Sequence, residues 1–506
     1  MKKIITFIFS VMLAATSMAA PWDGVTVASS YAGGTGTSAD PYLIGTAEQL
    51  AYLSQQGATN TYTGVHFKLT ADIDLNSFPW TPIGGASTST TAPTVVFRGI
   101  FDGNNHVINN IYINTTTNCF VGLFSYAKRA KFLNIIIGAG SISGGTFAGS
   151  LAGRADSITI YNCQNNASVK AIVIGTSGSK AGGLLGQMGG VSTIDYSYNL
   201  GKVDGPGDYV GGLVGNSSVS SAVTDYSRIR NCYNNASVTG YTKYVGGICG
   251  TNSGNLTISE CYNEGRLLAV GDYCGGIVGY GYGLLTILNC YNSGSVMSSS
   301  TVATVFIGGI LGGVGGNAAG KYFKEIKNCY NTGALVGGVI EAIAGSLTGG
   351  AIAGSTGVVT NCYFVEHPIL ENKNNGGVMK TAADLITPEF LNLLNAGQTP
   401  SPWISNVNFN GGNPILAWQP LSVPAYTALK NIEFKNLSVY AIGKTIQVDL
   451  KDVSVYDFSL YSINGKLINH QKSTQSQLTL DVKQSGFYLV KITDGTHSSV
   501  SKVIVK

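Results

Sequence analysis

The stretch Asn231-Cys232-Tyr233-Asn234 … Gly246-Gly247-Ile248-Cys249-Gly250 … Glu260-Cys261-Tyr262-Asn263 … Gly275-Gly276-Ile277-Val278-Gly279 … Asn289-Cys290-Tyr291-Asn292 decides the fold. Two phrases alternate in it, and Cys232, Cys261 and Cys290 are spaced 29 and 29 apart. Outward from this centre the glycine phrase recurs as Gly182-Gly183-Leu184-Leu185-Gly186, Gly211-Gly212-Leu213-Val214-Gly215 and Gly308-Gly309-Ile310-Leu311-Gly312. Weaker copies are Gly149-Ser150-Leu151-Ala152-Gly153 and Gly350-Ala351-Ile352-Ala353-Gly354. The final glycines 153, 186, 215, 250, 279, 312 and 354 lie 33, 29, 35, 29, 33 and 42 apart. The cysteine phrase returns at Asn328-Cys329-Tyr330-Asn331 and shortens to Asn361-Cys362-Tyr363. It begins as Asn162-Cys163-Gln164-Asn165, with Tyr196-Ser197-Tyr198-Asn199 between. Two phrases locked to one drifting period mark a repeat architecture.

Each repeat holds short runs rich in Ile, Val, Leu, Tyr and Thr, separated by Gly, Asn, Ser and Asp. These are strand and turn signals, not a helical period. A propeller blade needs four strands in roughly 40 residues or more, so a 29-residue repeat suits one turn of a parallel β-helix better. A single turn cannot bury its inner face, and stacking supplies the core. The crossover rule makes the helix right-handed. Glycine is expected to give positive φ at corners and to let neighbouring turns approach closely. The asparagines beside each cysteine suit the left-handed region too, and their amides can bond to copies one turn away. Charged residues are 11% and hydrophobic residues 44%, with 68 glycines; that is a packed chain, not a disordered one.

The flanks divide the rest. Residues 1–20 read as a secretory signal, with Lys2 and Lys3, the apolar Ile4–Ala15 and the small-x-small Ser17-Met18-Ala19. The apolar stretch is too short to span a membrane, so no transmembrane segment is expected in the mature chain. Without Lys2 and Lys3 it keeps 28 of 30 basic residues against 26 acidic ones, a balance that argues against nucleic acid as a partner. Residues 21–130 form an N-terminal cap and first turns. Thr46-Ala47-Glu48-Gln49 opens a short helix through about Gln56. Residues 131–365 are the repeat β-helix. Residues 366–424 are a C-terminal cap, with a helix starting at Thr387-Pro388-Glu389-Phe390 and ending at Gly397. From 425 to 506 the short alternating strands Thr445–Leu450, Val453–Tyr461, Leu478–Val482, Phe487–Ile492 and Val500–Val505 predict a small β-sandwich, with Asn464-Gly465 as a hairpin turn. The fold class is therefore all-β: a parallel β-helix with short helical caps, then a C-terminal β-sandwich.

The glycine phrase resembles the GLUG motif of adhesin-like bacterial surface proteins. Upstream residues resemble that family too: Tyr42-Leu43-Ile44, Lys68-Leu69-Thr70-Ala71-Asp72-Ile73-Asp74-Leu75, Trp80, and Gly99-Ile100-Phe101-Asp102-Gly103. Some members carry a metallopeptidase domain, but this sequence has no His-Glu-x-x-His. The tail resembles the C-terminal sorting domain of type IX secretion cargo, on Val455-Tyr456, Asn464-Gly465-Lys466, Gly486-Phe487-Tyr488-Leu489-Val490-Lys491 and Lys502-Val503-Ile504-Val505-Lys506. Ser485 stands where the family has proline. The resemblance implies that type IX secretion machinery is a partner through residues 425–506. It also implies a Gram-negative bacterium, with the protein on the outer-membrane surface or outside the cell.

Candidate ligand-binding residues form two rows. Tyr233, Tyr262, Tyr291 and Tyr330 stack along one edge if the repeats stack; Tyr209, Tyr244 and Tyr273, continued by Phe306, lie just before the glycines. Exposed aromatic rows bind sugars or proteins, whereas buried ones are core. Strict alternation puts Ile258, Ile287 and Ile326 on the tyrosine side; a bend at the intervening residue turns cysteine inward and tyrosine outward, the arrangement expected here. The six in-register cysteines are expected to be buried thiols, without the C-x-x-C pairs or histidines of a metal site. No catalytic residues, metal or cofactor are assigned. Asp195, Asp204, Asp208, Asp225, Glu260, Glu264 and Asp272 are scattered, and only Asp208 and Asp272 share a repeat position, with Lys243 between them. The leading reading is a non-enzymatic, adhesin-like surface protein that binds a glycan or a host or matrix protein. The alternatives are a polysaccharide-degrading β-helix lyase or hydrolase, and a structural spacer.

Overall fold

A computed structural model describes residues 21–91, 93–172, 178–218, 225–299, 305–315, 324–349, 357–366, 375–407, 409–419, 437–442, 444–450, 456–462, 467–475, 477–482, 486–493 and 498–505. The signal segment 1–20, the glycine phrase at 350–354 and the Asn464-Gly465 turn lie outside them. The chain forms two compact units, one built on Met1–Ile326 and Tyr330–Val358, the other on Val359–Asn372 and Gly376–Lys506.

The first unit is a parallel β-solenoid of about eight turns. One turn contains five short strands: Leu256–Ser259, Tyr262–Asn263, Leu267–Ala269, Tyr273–Gly275 and Val278–Gly281. Each pairs in parallel with its copy in the next turn, Leu256 with Leu285, Tyr262 with Tyr291, Leu267 with Val296, Tyr273 with Phe306 and Val278 with Leu311. The repeat period is thus one turn, and every repeated residue lies beside its own copies. Leu256, Ile258, Cys261, Leu267, Cys274, Ile277 and Val278 of this turn are fully buried; stacked, they form a continuous apolar interior.

The corners and the glycines divide their work differently from the sequence expectation. Positive φ falls to the residue before each cysteine: Asn162, Asn231, Asn289, Asn328 and Asn361 lie at φ 50–54°, and Glu260 at 51°. None of the described glycines of the repeated phrase has positive φ. They permit close approach instead. A Cβ on Gly246 would lie 2.0 Å from the Cys249 carbonyl oxygen and 2.7 Å from the Gly279 nitrogen. The strands on either side of the phrase therefore touch backbone to backbone, which only glycine allows.

The asparagine after each tyrosine points inward and forms a ladder. Nδ2 of Asn165, Asn199, Asn234, Asn263 and Asn292 donates to Oδ1 of the next asparagine at 2.7–2.8 Å, ending on Asn331. The second amide hydrogen goes to a carbonyl two residues on, as from Asn263 to Gly265. All six side chains are buried, and the ladder meets the requirement that buried polar groups be paired.

The helix Ala47–Gly57 is capped by Thr46, whose hydroxyl accepts from the Gln49 amide at 3.3 Å. The return arm of the capping box reaches the Gly45 amide, one residue earlier than expected, at 2.7 Å. Leu50, Ala51 and Leu53 are buried. In the second unit the helix Pro388–Asn395 is capped by Thr387, and Phe390 packs edge-on against Tyr363 with ring centroids 5.0 Å apart. Further along, Leu437–Ile442, Thr445–Leu450 and Gln477–Asp481 form one antiparallel sheet, and Leu467–Ser473, Tyr456–Ser462, Gly486–Thr493 and Ser498–Val505 another. Ile446 and Val448 of the first share a core with Phe458, Leu460, Val490 and Ile492 of the second, the two-sheet packing expected of a small sandwich.

Candidate functional site

The first tyrosine row exists as a column. Tyr198, Tyr233, Tyr262, Tyr291 and Tyr330 pair in register. Their ring centroids are 4.6–5.2 Å apart and their planes within 9° of parallel. Strand alternation places tyrosine opposite the inward cysteine and asparagine, and the cysteines are buried as expected. The rings are nonetheless covered: Tyr233 is 9% exposed, Tyr262 6%, Tyr291 and Tyr330 0%. Each ring face is occupied by the next ring. Tyr233, Tyr262, Tyr291 and Tyr330 are therefore a packed column and not an exposed stacking platform. That corrects their assignment as ligand-binding residues.

The second row is different. Tyr209, Tyr244, Tyr273 and Phe306 are in register, with centroids 5.4–5.8 Å apart. Tyr209, Tyr273 and Phe306 are half-buried, and Tyr244 is buried. The glycine contact explains the arrangement: because the flanking strands meet backbone to backbone, aromatic side chains beside the glycines on one strand reach those on the other. Tyr280 stacks 4.7 Å from Tyr244 and meets Tyr273 at a tilt, with centroids 4.4 Å apart, and the Tyr244 and Tyr282 hydroxyls are 2.5 Å apart. Burial raises the phenol pKa of Tyr209, Tyr244, Tyr273 and Tyr280; all four stay protonated donors at neutral pH.

The row extends beyond the tyrosines. Lys180 occupies the same register position one turn earlier, and Phe147 one turn before that. The Lys180 ammonium lies 4.6 Å from the Phe147 ring centroid and 5.1 Å from that of Tyr209, a cation held between two π faces. Burial lowers its pKa, while Asp208 acts in the opposite sense. Both residues were signalled by position, since each stands two residues before a glycine of the phrase. Tyr280 and Tyr282 were not, because the copies next to Tyr280 in the stack are Thr251 and Gly313, and tyrosine returns in that register only at Tyr126. On the neighbouring strand Arg154 bonds to Asp156 at 3.0 Å and lies over the Tyr126 ring, whose hydroxyl also donates to Asp156.

Three of the seven scattered carboxylates are matched with cations. Asp195 pairs with Arg230, Asp204 with Lys202 and Asp208 with Lys243, at 3.2, 2.7 and 3.1 Å. Among the described residues no group of three His, Cys, Asp or Glu side chains is placed to hold a metal ion. No disulfide joins any of the nine cysteines, and all are buried. The Cys232, Cys261 and Cys290 thiols donate to carbonyls two residues back, at 3.0–3.2 Å.

Residues 443–506 match the family model of the secretion system C-terminal sorting domain. The protein is thus an exported β-solenoid, carried to the cell surface or beyond by the type IX secretion route. Two curated relatives share part of its sequence. A putative Gly-rich membrane protein of Evansella cellulosilytica is 36% identical over 104 residues, 19% of this chain and 10% of that protein. Halomucin of Haloquadratum walsbyi is 30% identical over 170 residues, 32% of this chain and 2% of that protein. The chain thus spans a tenth or less of either relative. Among the described residues no helix is long and apolar enough to cross a membrane.

Proposed function

We propose that the protein is a non-enzymatic, adhesin-like surface protein of the GLUG type, whose solenoid presents an aromatic row to a glycan or a host or matrix protein. The observation that carries this reading is the row Lys180, Tyr209, Tyr244, Tyr273 and Phe306, which places one side chain per turn in register beside the glycine contact. The half-buried rings of Tyr209 and Tyr273, with protonated hydroxyls, offer both stacking surface and hydrogen bonds. A row spaced by parallel strands, about 4.8 Å per step, suits an extended ligand running along the stack. Ion pairing of Asp195, Asp204 and Asp208 supports binding over catalysis, because a glycosidase needs two carboxyl groups flanking one bond.

The test is incubation of the purified chain with a panel of polysaccharides, read for retention and for new reducing ends or unsaturated sugars. Retention without cleavage is the expected result. Cleavage products establish the lyase or hydrolase alternative, and absence of any glycan or protein ligand leaves a structural spacer.

A further inference from the structure

A second aromatic feature lies on another face of the solenoid, at the corner where the repeat carries tyrosine. Eight equivalent corners, at 105, 134, 162, 231, 260, 289, 328 and 361, carry asparagine or glutamate at positive φ; position 196 carries tyrosine, at φ 49°. A bulky residue there is an outlier, since its side chain gains nothing from the left-handed region. It also forgoes what asparagine does at this corner, where Asn162 donates to Asn134 at 2.8 Å and Asn361 to Asn328 at 3.2 Å. Burial gives little in return, because Tyr196 remains 38% exposed. A bulky residue held at a left-handed corner and still exposed at the surface points to function.

The surroundings supply the rest of a site. The Tyr196 ring meets that of Tyr161, which is 46% exposed, edge-to-face at 5.6 Å. One turn on, Arg230 bonds through Nε to Asp195 Oδ1 at 3.2 Å and through Nη2 to Oδ2 at 3.5 Å. Arg228 pairs in register with Thr193, is exposed, and makes no ion pair or side-chain hydrogen bond among the described residues. Two turn spacings separate Tyr161 from the arginines, roughly 10 Å.

We propose that Tyr161, Tyr196, Thr193, Asp195, Arg228 and Arg230 form a binding site for a neutral pyranose polymer. Two exposed rings offer the apolar face of a sugar its stacking partner. The guanidinium groups donate and the carboxylate accepts, and sugar hydroxyls need both. In charge the patch matches an uncharged ligand: Arg228 and Arg230 are balanced by Asp195 and by Glu260, which acts on Arg230 from the next corner. The site shares no residue with the aromatic row beside the glycines and stands or falls without it.

Electrophoresis of the full secreted chain through gels containing dextran, mannan, hydroxyethylcellulose or polygalacturonate tests it. At least one neutral polymer retards the wild type. Tyr161→Ala and Arg228→Ala each weaken that retardation about tenfold, while Tyr241→Ala, an exposed tyrosine outside the patch, preserves it. Tyr196→Asn weakens retardation and raises the unfolding temperature by about 2 °C, because asparagine suits the corner. The proposal is overturned by retardation in polygalacturonate alone or in none of the gels. It is equally overturned if Tyr196→Asn retains full retardation or lowers the unfolding temperature, which makes the ring a packing residue.

Discussion

Asn263 makes three side-chain hydrogen bonds in the interior, to Asn292, to the Gly265 carbonyl and from Asn234. Replacing it with leucine leaves an amide hydrogen of Asn234, Oδ1 of Asn292 and the Gly265 carbonyl without a partner where water cannot reach. Orphaned buried groups cost about 1–3 kcal/mol each, so Asn263→Leu is expected to lower stability by about 3 kcal/mol in urea unfolding; an unchanged midpoint contradicts the ladder. The asparagine before the cysteine was legible: it takes the left-handed corner, and Asn162 and Asn361 bond to their copies one turn away. The second, buried ladder, made by the asparagine after the tyrosine, was not. The tyrosine column was equally legible as a column. Its burial was not, because alternation states which side of a strand a residue takes and not what covers that side. Tyr196 was visible as a departure from the phrase, yet its meaning needed the positive φ at that corner.

At the scale of the element, the glycine phrase joins two strands in backbone contact. A Cβ on Gly275 would lie 2.0 Å from the Val278 carbonyl oxygen and 2.4 Å from the Gly312 nitrogen. Gly281, also without positive φ, meets only the Leu285 and Val314 side chains, at 3.3 and 3.5 Å. Gly275→Ala is therefore expected to destabilise by about 3 kcal/mol and Gly281→Ala by well under that; thermal unfolding of the pair checks the ranking, and equal effects contradict it. Both helices were legible from their caps, Thr46 and Thr387. The tail strand Thr445–Leu450 was read with its observed bounds, whereas Leu437–Ile442 and Leu467–Ser473 were missed. Polar residues such as Asn469, His470, Gln471 and Lys472 hide the second of these. The five strands per turn were also hidden, since strands of two or three residues are too short to show a period.

For the whole molecule, the repeat builds a scaffold with its cysteine thiols buried in the uncharged form. Burial pushes the Cys163 and Cys249 thiols up from 9.0 to about 12. The folded chain keeps them neutral while the unfolded chain ionises them, so stability is full below about pH 9 and falls as pH rises toward 12. The loss is about 1.4 kcal/mol per pH unit for each such thiol. Urea midpoints at about pH 8 and about pH 10.5 are expected to differ accordingly; a constant midpoint contradicts thiol burial. The fold class and the export tail were readable from repeated phrases and a terminal motif, because both are written many residues long. The proposed binding face was only half readable: two tyrosine rows look alike in sequence, and cover separates them. The most direct measurement is a glycan array probed with the full secreted chain and with its Tyr209→Ala/Tyr273→Ala variant. The account predicts that the wild type binds a defined set of extended glycans and that the variant, folded by circular dichroism, loses part of that set. Identical binding by the two proteins, or none by either, contradicts it.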